Sequence, residues 1–110
     1  MTFGEIIRDQ RKKLGMSQKQ LAERIKKEDG QSISPQYLND IEFGRRNPPP
    51  EYIIDQLADI LEIPQEDLYL LAGQIPSEMR PTTYDPARFR EAFKAFRREL
   101  HGGKRGQVDS

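Results

Sequence analysis

Two short segments constrain the fold of this chain most, because each carries a full set of helix-start signals. The first opens with Ser17 and has Gln20 three residues later, which is the S-x-x-Q pattern of a capping box. The second opens with Ser34 followed by Pro35, an N-cap residue with proline at the first helical position. Gly44 supplies its stop signal. The sequence therefore predicts two short helices joined by a turn.

Apolar periodicity predicts three further helices, at residues 3–14, 51–61 and 64–73. In the first of these, Phe3, Ile7 and Leu14 are expected to form the buried stripe. No segment has the pattern of a β-strand. Residues 1–73 therefore predict one small all-α domain of five helices.

The sequence after Gly73 predicts a different organisation. Residues 74–85 contain prolines and threonines and are predicted to be a linker. A sixth, amphipathic helix over residues 86–101 carries an apolar stripe formed by Phe89, Phe93, Phe96 and Leu100. Residues 102–110 are expected to be disordered. An isolated helix of about 15 residues is marginal in water, so the stripe needs a cover. The cover could be a second copy of the chain, the domain's own core or another protein.

Composition argues against several classes of protein. The 110 residues include no cysteine, which excludes disulfides, thiolate nucleophiles and cysteine-based zinc sites. The single histidine, His101, has no companion nucleophile, and there is no phosphate-binding loop or metal-ligand spacing. We therefore predict no enzymatic activity, no cofactor and no metal. No run of about 18 apolar residues occurs, and residues 1–5 lack the pattern of a signal peptide. We expect a cytoplasmic protein with no membrane partner.

Residues 3–73 resemble the DNA-binding domain of the Cro and phage-repressor (XRE-type) helix-turn-helix family of small bacterial and phage regulators. The features that match are Ser17-Gln18, Leu21-Ala22, the run 34–44 with Leu38, Ile41 and Glu42 in place, the acidic pair before Leu70-Leu71, and five helices in the same order. The resemblance implies a repressor-like fold with double-stranded DNA as partner. The turn over residues 26–33 is longer than is usual in the family. Either the second helix extends or a small loop bulges out, which leaves the pose of the third helix open.

The resemblance also implies roles for individual residues. The first turns of the second motif helix would lie in the major groove and reach base edges, which assigns base contacts to Pro35, Gln36, Tyr37, Asn39 and Asp40. Phosphate contacts fall to Gln18, Ser34, Arg45, Arg46 and Asn47. Gln18 would also brace the recognition helix. Arg11 and Glu42 are expected to form a structural pair that holds this helix on the scaffold.

Charge is distributed unevenly along a chain whose net charge is zero. Residues 1–27 carry eight basic and three acidic residues, residues 28–72 two and ten, and residues 73–110 eight and five. The basic segments could face DNA while the acidic one faces solvent or a partner. The resemblance implies a sequence-specific transcriptional regulator, most simply a homodimeric repressor of an inverted-repeat operator. The alternative is an antitoxin or partner-regulated interaction module whose tail helix docks on a toxin or regulatory protein.

Overall fold

A computed structural model describes residues 1–79 and 85–101, and all of the regular structure in these ranges is helical. The α-helices are α1 (Phe3–Lys13), α2 (Gln18–Arg24), α3 (Pro35–Glu42), α4 (Glu51–Leu61), α5 (Gln65–Ala72) and α6 (Pro86–Leu100). A single 3-10 turn covers Ser77–Met79. The prediction of an all-α fold is confirmed. The predicted disorder of residues 102–110, and most of the predicted linker after Met79, lie outside the described residues.

Local hydrogen bonds set the starts of the helices. Ser17 Oγ accepts from the Gln20 N–H at 3.0 Å, and Gln20 Oε1 accepts from the Ser17 N–H at 2.8 Å, which completes the predicted capping box. Ser34 Oγ caps α3 by accepting from the Tyr37 N–H at 3.0 Å. A further capping box, between Thr2 and Glu5, begins α1 at Phe3. These caps satisfy amide groups that have no partner within the helix.

The end of α3 is a Schellman turn at Gly44. This glycine has φ +71°, a left-handed conformation that costs glycine little because it has no Cβ. The Gly44 N–H donates to the Ile41 carbonyl at 3.2 Å, and the Arg45 N–H donates to the Asp40 carbonyl at 2.9 Å. The turn therefore directs the chain back over the end of α3 and leaves Arg45 close to Asp40.

The core lies between α1 and the four helices that follow it. Helix α1 packs against α3, α4 and α5, while α2 packs against α3 and α4 against α5. The fully covered side chains include Ile7, Leu21, Ile25, Leu38, Ile54, Leu57, Leu61 and Leu68. One expectation is wrong: Leu14 is 38% exposed instead of buried. Helix α1 ends at Lys13, so Leu14 is its C-cap residue and does not continue the buried stripe of the helix.

The long turn between α2 and α3 is a small hairpin, so the bulged loop is the correct alternative. Residues Lys26 and Ser32 form an isolated antiparallel bridge, and the Ile33 N–H donates to the Ile25 carbonyl at 3.0 Å. Both isoleucines are buried. Gln56 on α4 pairs with Lys26 through two 2.8 Å bonds, one from the Lys26 N–H and one to its carbonyl. The extra residues thus project outward, while the ends of the turn hold α2 and α3 in place.

Helix α1 approaches the end of α3 through Gly4. A Cβ at this position would lie 2.4 Å from the Glu42 carbonyl oxygen and 2.5 Å from that of Ile41. No side chain fits in this space without movement of the backbone. Gly4 therefore permits the close contact between α1 and α3.

The chain divides into two compact units, residues 1–79 and 80–110. In the first unit, residues after α5 remain attached to the helices. Gln74 donates to the Pro49 carbonyl at 3.3 Å, and the Ser77 hydroxyl donates to Glu51 at 2.6 Å. Of the second unit, the structure describes α6, capped by Asp85. No helix in the described ranges is both long and apolar enough to cross a membrane.

The apolar side chains of α6 follow the predicted stripe. The exposed fractions are 44% for Phe89, 50% for Phe93, 53% for Phe96 and 50% for Leu100. The rings of Phe89 and Phe93 lie 6.1 Å apart, and the guanidinium of Arg97 covers Phe93 at 5.4 Å. The helix therefore carries partly exposed aromatic rings beside basic side chains.

Candidate nucleic-acid interface

The recognition helix candidate, α3, is attached to the scaffold by a buried ion pair. Arg11 Nε donates to Glu42 Oε2 at 2.7 Å and Arg11 Nη2 donates to Glu42 Oε1 at 3.0 Å. A third guanidinium bond reaches the Met16 carbonyl at 2.9 Å. The side chains are 9% and 0% exposed, so the pair is shielded from salt and solvent. It holds the C-terminal end of α3 against both α1 and the start of α2.

Gln18 extends this anchor to the exposed face of α3. Its Nε2 donates to Glu42 Oε1 at 3.0 Å, and its Oε1 accepts from Asn39 Nδ2 at 3.3 Å. Asn39 Oδ1 in turn accepts from Arg45 Nη2. The start of α2 is thus bonded to α3 at two successive turns. The geometry matches the bracing role predicted for Gln18.

The N-terminal face of α3 is the most exposed part of the predicted site. Ser34, Pro35 and Gln36 are all exposed. Asn39 and Asp40, one turn later, are partly covered by their neighbours. Pro35 needs no hydrogen-bond partner for its nitrogen and Ser34 caps the Tyr37 amide at 3.0 Å, so this end of the helix is capped. It leaves the Gln36 side chain projecting from a fixed backbone.

The Asp40 carboxylate lies close to the donor groups of three side chains. Its Oδ1 accepts from Gln36 Nε2 at 2.9 Å and from Arg45 Nε at 3.2 Å. Its Oδ2 lies 3.5 Å from Arg46 Nε. Burial raises the pKa of the Asp40 carboxyl, but the bonds from Gln36 and Arg45 and the two positive charges outweigh burial and hold the pKa below its usual range. Asp40 therefore remains an anion at neutral pH and accepts from every partner.

Tyr37 lies partly buried beside the exposed first turn of α3. Its ring is half-buried and packs against the core, and the Arg46 guanidinium covers it at 4.9 Å. Burial raises the pKa of the Tyr37 phenol, and the positive charge of Arg46 opposes this rise. Asn47 is exposed after the Schellman turn, alongside the two arginines.

Phe43 and Arg8 belong to the same surface, although no sequence pattern pointed to them. The Phe43 ring is 52% exposed and lies between two guanidinium groups, with Arg8 at 5.3 Å and Arg45 at 5.4 Å from its centre. Such contacts are worth about 0.5–1 kcal/mol at exposed sites. Residues this far apart in sequence are brought together only by the packing of α1 on α3.

The described residues contain no group of three or more histidine, cysteine or acidic side chains that could hold a metal ion. In the same ranges, every buried side-chain nitrogen or oxygen atom has a hydrogen-bond partner. The polar network around α3 is therefore internally satisfied, and its remaining donors and acceptors point outward from Gln36, Arg45 and Arg46.

The fold and this surface define a class: a small helical domain that presents a braced helix flanked by arginines. A family model described as helix-turn-helix matches residues 7–68. The chain therefore belongs to the XRE-type helix-turn-helix family, whose members bind DNA and regulate transcription.

Curated relatives point the same way. Two proteins from different strains of Mycobacterium tuberculosis, each described as an uncharacterized HTH-type transcriptional regulator, are 38% identical to the chain over 76 residues. The match covers 68% of this chain and 49% of each relative. The chain thus matches about half the length of these relatives. No solved structure matches it.

Proposed function

We propose that the protein is a sequence-specific transcriptional regulator that acts as a dimeric repressor in the cytoplasm, with α3 in the DNA major groove. The observation that carries the proposal is the exposed Gln36 on a helix braced by Arg11, Gln18 and Glu42. Binding through a rigid helix avoids the entropic cost of ordering the reading residues on contact with DNA.

Each group on this surface suits one part of the duplex. Gln36 carries an acceptor and a donor on one amide, which is the combination that pairs with the N6 and N7 edge of adenine. Asn39 has the same chemistry one turn later. Pro35 and Tyr37 offer apolar contact to a thymine methyl group. Arg45, Arg46, Asn47 and Ser34 lie around this face and are assigned to phosphates, which position a protein without reading sequence.

Dimerisation follows from the short reach of one recognition helix. A single α3 contacts only a few base pairs, so useful specificity calls for two half-sites about one helical turn apart. We assign the dimer contact to the stripe of Phe89, Phe93, Phe96 and Leu100 on α6. Two such stripes in contact would remove aromatic surface from water, which favours association.

Selection of the purified chain on a random DNA pool at roughly physiological salt tests the proposal. The expected product is an inverted repeat with half-site centres about 10 base pairs, or a multiple, apart. Gln36→Ala should lose the preference at one base pair of each half-site. The control is Glu66→Gln, at an exposed position of α5, which should leave the selected sequence unchanged. No enrichment by the wild-type chain would contradict DNA reading, and enrichment of single half-sites would contradict the dimer.

The second candidate function is that of an antitoxin or partner-regulated module. The half-exposed Phe93 and Phe96 favour it, because a toxin or regulatory protein could cover the same stripe. Light scattering of the full chain distinguishes the two. A dimer that dissociates in Phe93→Arg and persists in Arg90→Ala supports the homodimer. A monomeric wild-type chain that still selects a half-site supports a protein partner for α6.

A further inference from the structure

The carboxylate of Asp40 contacts three of the side chains assigned to DNA, Gln36 in the first turn of α3 and Arg45 and Arg46 after its end. Its Oδ1 accepts from Gln36 Nε2 at 2.9 Å and from Arg45 Nε at 3.2 Å, and its Oδ2 lies 3.5 Å from Arg46 Nε. Its side chain is only 17% exposed. A carboxylate has about four acceptor positions, so most of its capacity is used within the protein. Little remains for a base, although the family resemblance implies a base contact for Asp40.

The bond to Asp40 determines which way the Gln36 amide is oriented. An ionised carboxylate only accepts hydrogen bonds, so it must face the NH2 group of Gln36 and not its oxygen. The amide oxygen and the second Nε2 hydrogen are then left for a ligand. Adenine presents one donor and one acceptor in the major groove, which this pair of groups matches, whereas guanine presents two acceptors. A freely rotating amide would lose this distinction in part.

Asp40 also sets the direction of both arginines. It holds each of them by Nε, the nitrogen nearest the backbone. The Arg46 guanidinium also lies 4.9 Å over the Tyr37 ring, and one terminal nitrogen of Arg45 is held by Asn39. The two positive charges also offset the negative charge that an aspartate would otherwise bring close to phosphates.

We infer that Asp40 is a positioning residue for DNA recognition: it fixes the Gln36 amide in the orientation that reads adenine and aligns Arg45 and Arg46 with phosphates, without contacting a base. This inference rests on the proposed function, since it concerns the same surface of α3. It adds that the specificity of Gln36 depends on a side chain one helical turn away.

The test compares Asp40→Asn and Asp40→Ala with the wild-type chain on the selected operator and on variants of it. The base pair read by Gln36 is first identified as the one at which Gln36→Ala loses discrimination. Wild-type binding should prefer adenine there by roughly 5- to 150-fold. In both Asp40 variants we expect this preference to fall to within about threefold, at the same base pair. Asp59→Asn, on the exposed face of α4, makes the same charge change and should keep the full preference.

Three results would overturn the inference. If discrimination is lost at a different base pair and adenine preference is kept, Asp40 itself reads a base. If affinity rises equally for all sequences, Asp40 contributes only its charge. If all sequences lose affinity equally, and thermal unfolding shows a lowered midpoint, Asp40 only supports the fold. A wild-type chain that selects no sequence would instead overturn the proposed function, and with it this inference.

Discussion

Arg11 on α1 and Glu42 at the end of α3 are joined by two hydrogen bonds, of 2.7 and 3.0 Å, inside the core of the domain. Glu42 also accepts from Gln18, and Gln18 is bonded to Asn39. A continuous path of hydrogen bonds therefore leads from a buried guanidinium to the outer face of α3. The pose of the candidate recognition helix depends on this path as well as on apolar packing.

Removing one partner of the buried pair should destabilise the domain strongly. We expect Arg11→Ala to lower the free energy of unfolding by about 3–5 kcal/mol, because it leaves the Glu42 carboxylate buried without its cation. The double variant Arg11→Met, Glu42→Leu should recover most of this loss, since it removes both charges. Urea denaturation measures both. Equal destabilisation by the single and the double variant would contradict the assignment of the loss to an unpaired charge.

Gly4→Ala should destabilise the contact between α1 and α3. The new Cβ would lie 2.4 Å from the Glu42 carbonyl oxygen, and that oxygen belongs to the backbone and cannot rotate away. We expect a loss of about 1–3 kcal/mol, as is typical of overpacking. Asp9→Ala, at an exposed position of the same helix, is the control and should change stability by less than about 0.5 kcal/mol. Thermal unfolding checks both, and a neutral Gly4→Ala would show that α1 can shift.

Tyr69→Phe should make the free energy of unfolding less sensitive to alkaline pH. The phenol is buried and donates to Asp55 at 2.7 Å. Burial, this bond and nearby carboxylates raise the pKa of Tyr69. Above pH 10 the unfolded tyrosine ionises while the folded one stays neutral, so stability falls with pH by up to about 1.4 kcal/mol per unit. Below about pH 10 the tyrosine stays protonated in both states, and its stabilisation of the fold is fully present.

Urea denaturation at pH 9 and pH 11 measures the effect. The fall in unfolding free energy between the two values should be smaller in Tyr69→Phe than in the wild-type chain. At pH 9 the variant should be less stable by about 0.5–1.5 kcal/mol, for the lost hydrogen bond. An identical fall in both proteins would mean that Tyr69 does not contribute to alkaline unfolding.

We expect Gln56 to hold the hairpin between α2 and α3 in its shape through its bonds to Lys26. Gln56→Glu keeps an acceptor for the Lys26 N–H but loses the donor to the Lys26 carbonyl, while Gln56→Ala loses both. We expect amide exchange at Lys26 to accelerate strongly in the alanine variant and less in the glutamate variant. Gln65→Ala on α5 is the control. Unchanged exchange in Gln56→Ala would mean that the hairpin holds its shape without α4.

Arg46→Ala should reduce the salt dependence of DNA binding. Each phosphate contact contributes about 0.9 to the slope of log affinity against log salt, so we expect a decrease near that value. Lys94→Ala, which removes one positive charge from α6, should leave the slope unchanged. Affinities measured between about 50 and 200 mM salt give the slopes. Equal slopes for Arg46→Ala and the wild-type chain would contradict the phosphate role of this arginine.

Local signals in the sequence account for most of the helix boundaries. Ser17, Ser34 and Gly44 act through hydrogen bonds to residues at most five positions away, so their effects can be predicted without a tertiary structure. Leu14 is the exception, since its place in the apolar period suggested burial but the helix ends before it. The roles assigned to Gln36, Asn39 and the arginines remain predictions, because they concern contacts with DNA.

The sequence by itself determined that the chain forms five short helices with an amphipathic sixth, and which segment resembles a recognition helix. Only the tertiary structure decided how that helix is held and oriented: the bracing by Gln18, the support of the hairpin by Gln56 and the close approach at Gly4. The reason is physical. Caps and turns depend on neighbours along the chain, whereas these contacts join residues 21 to 38 positions apart, and their partners are set by how the helices pack.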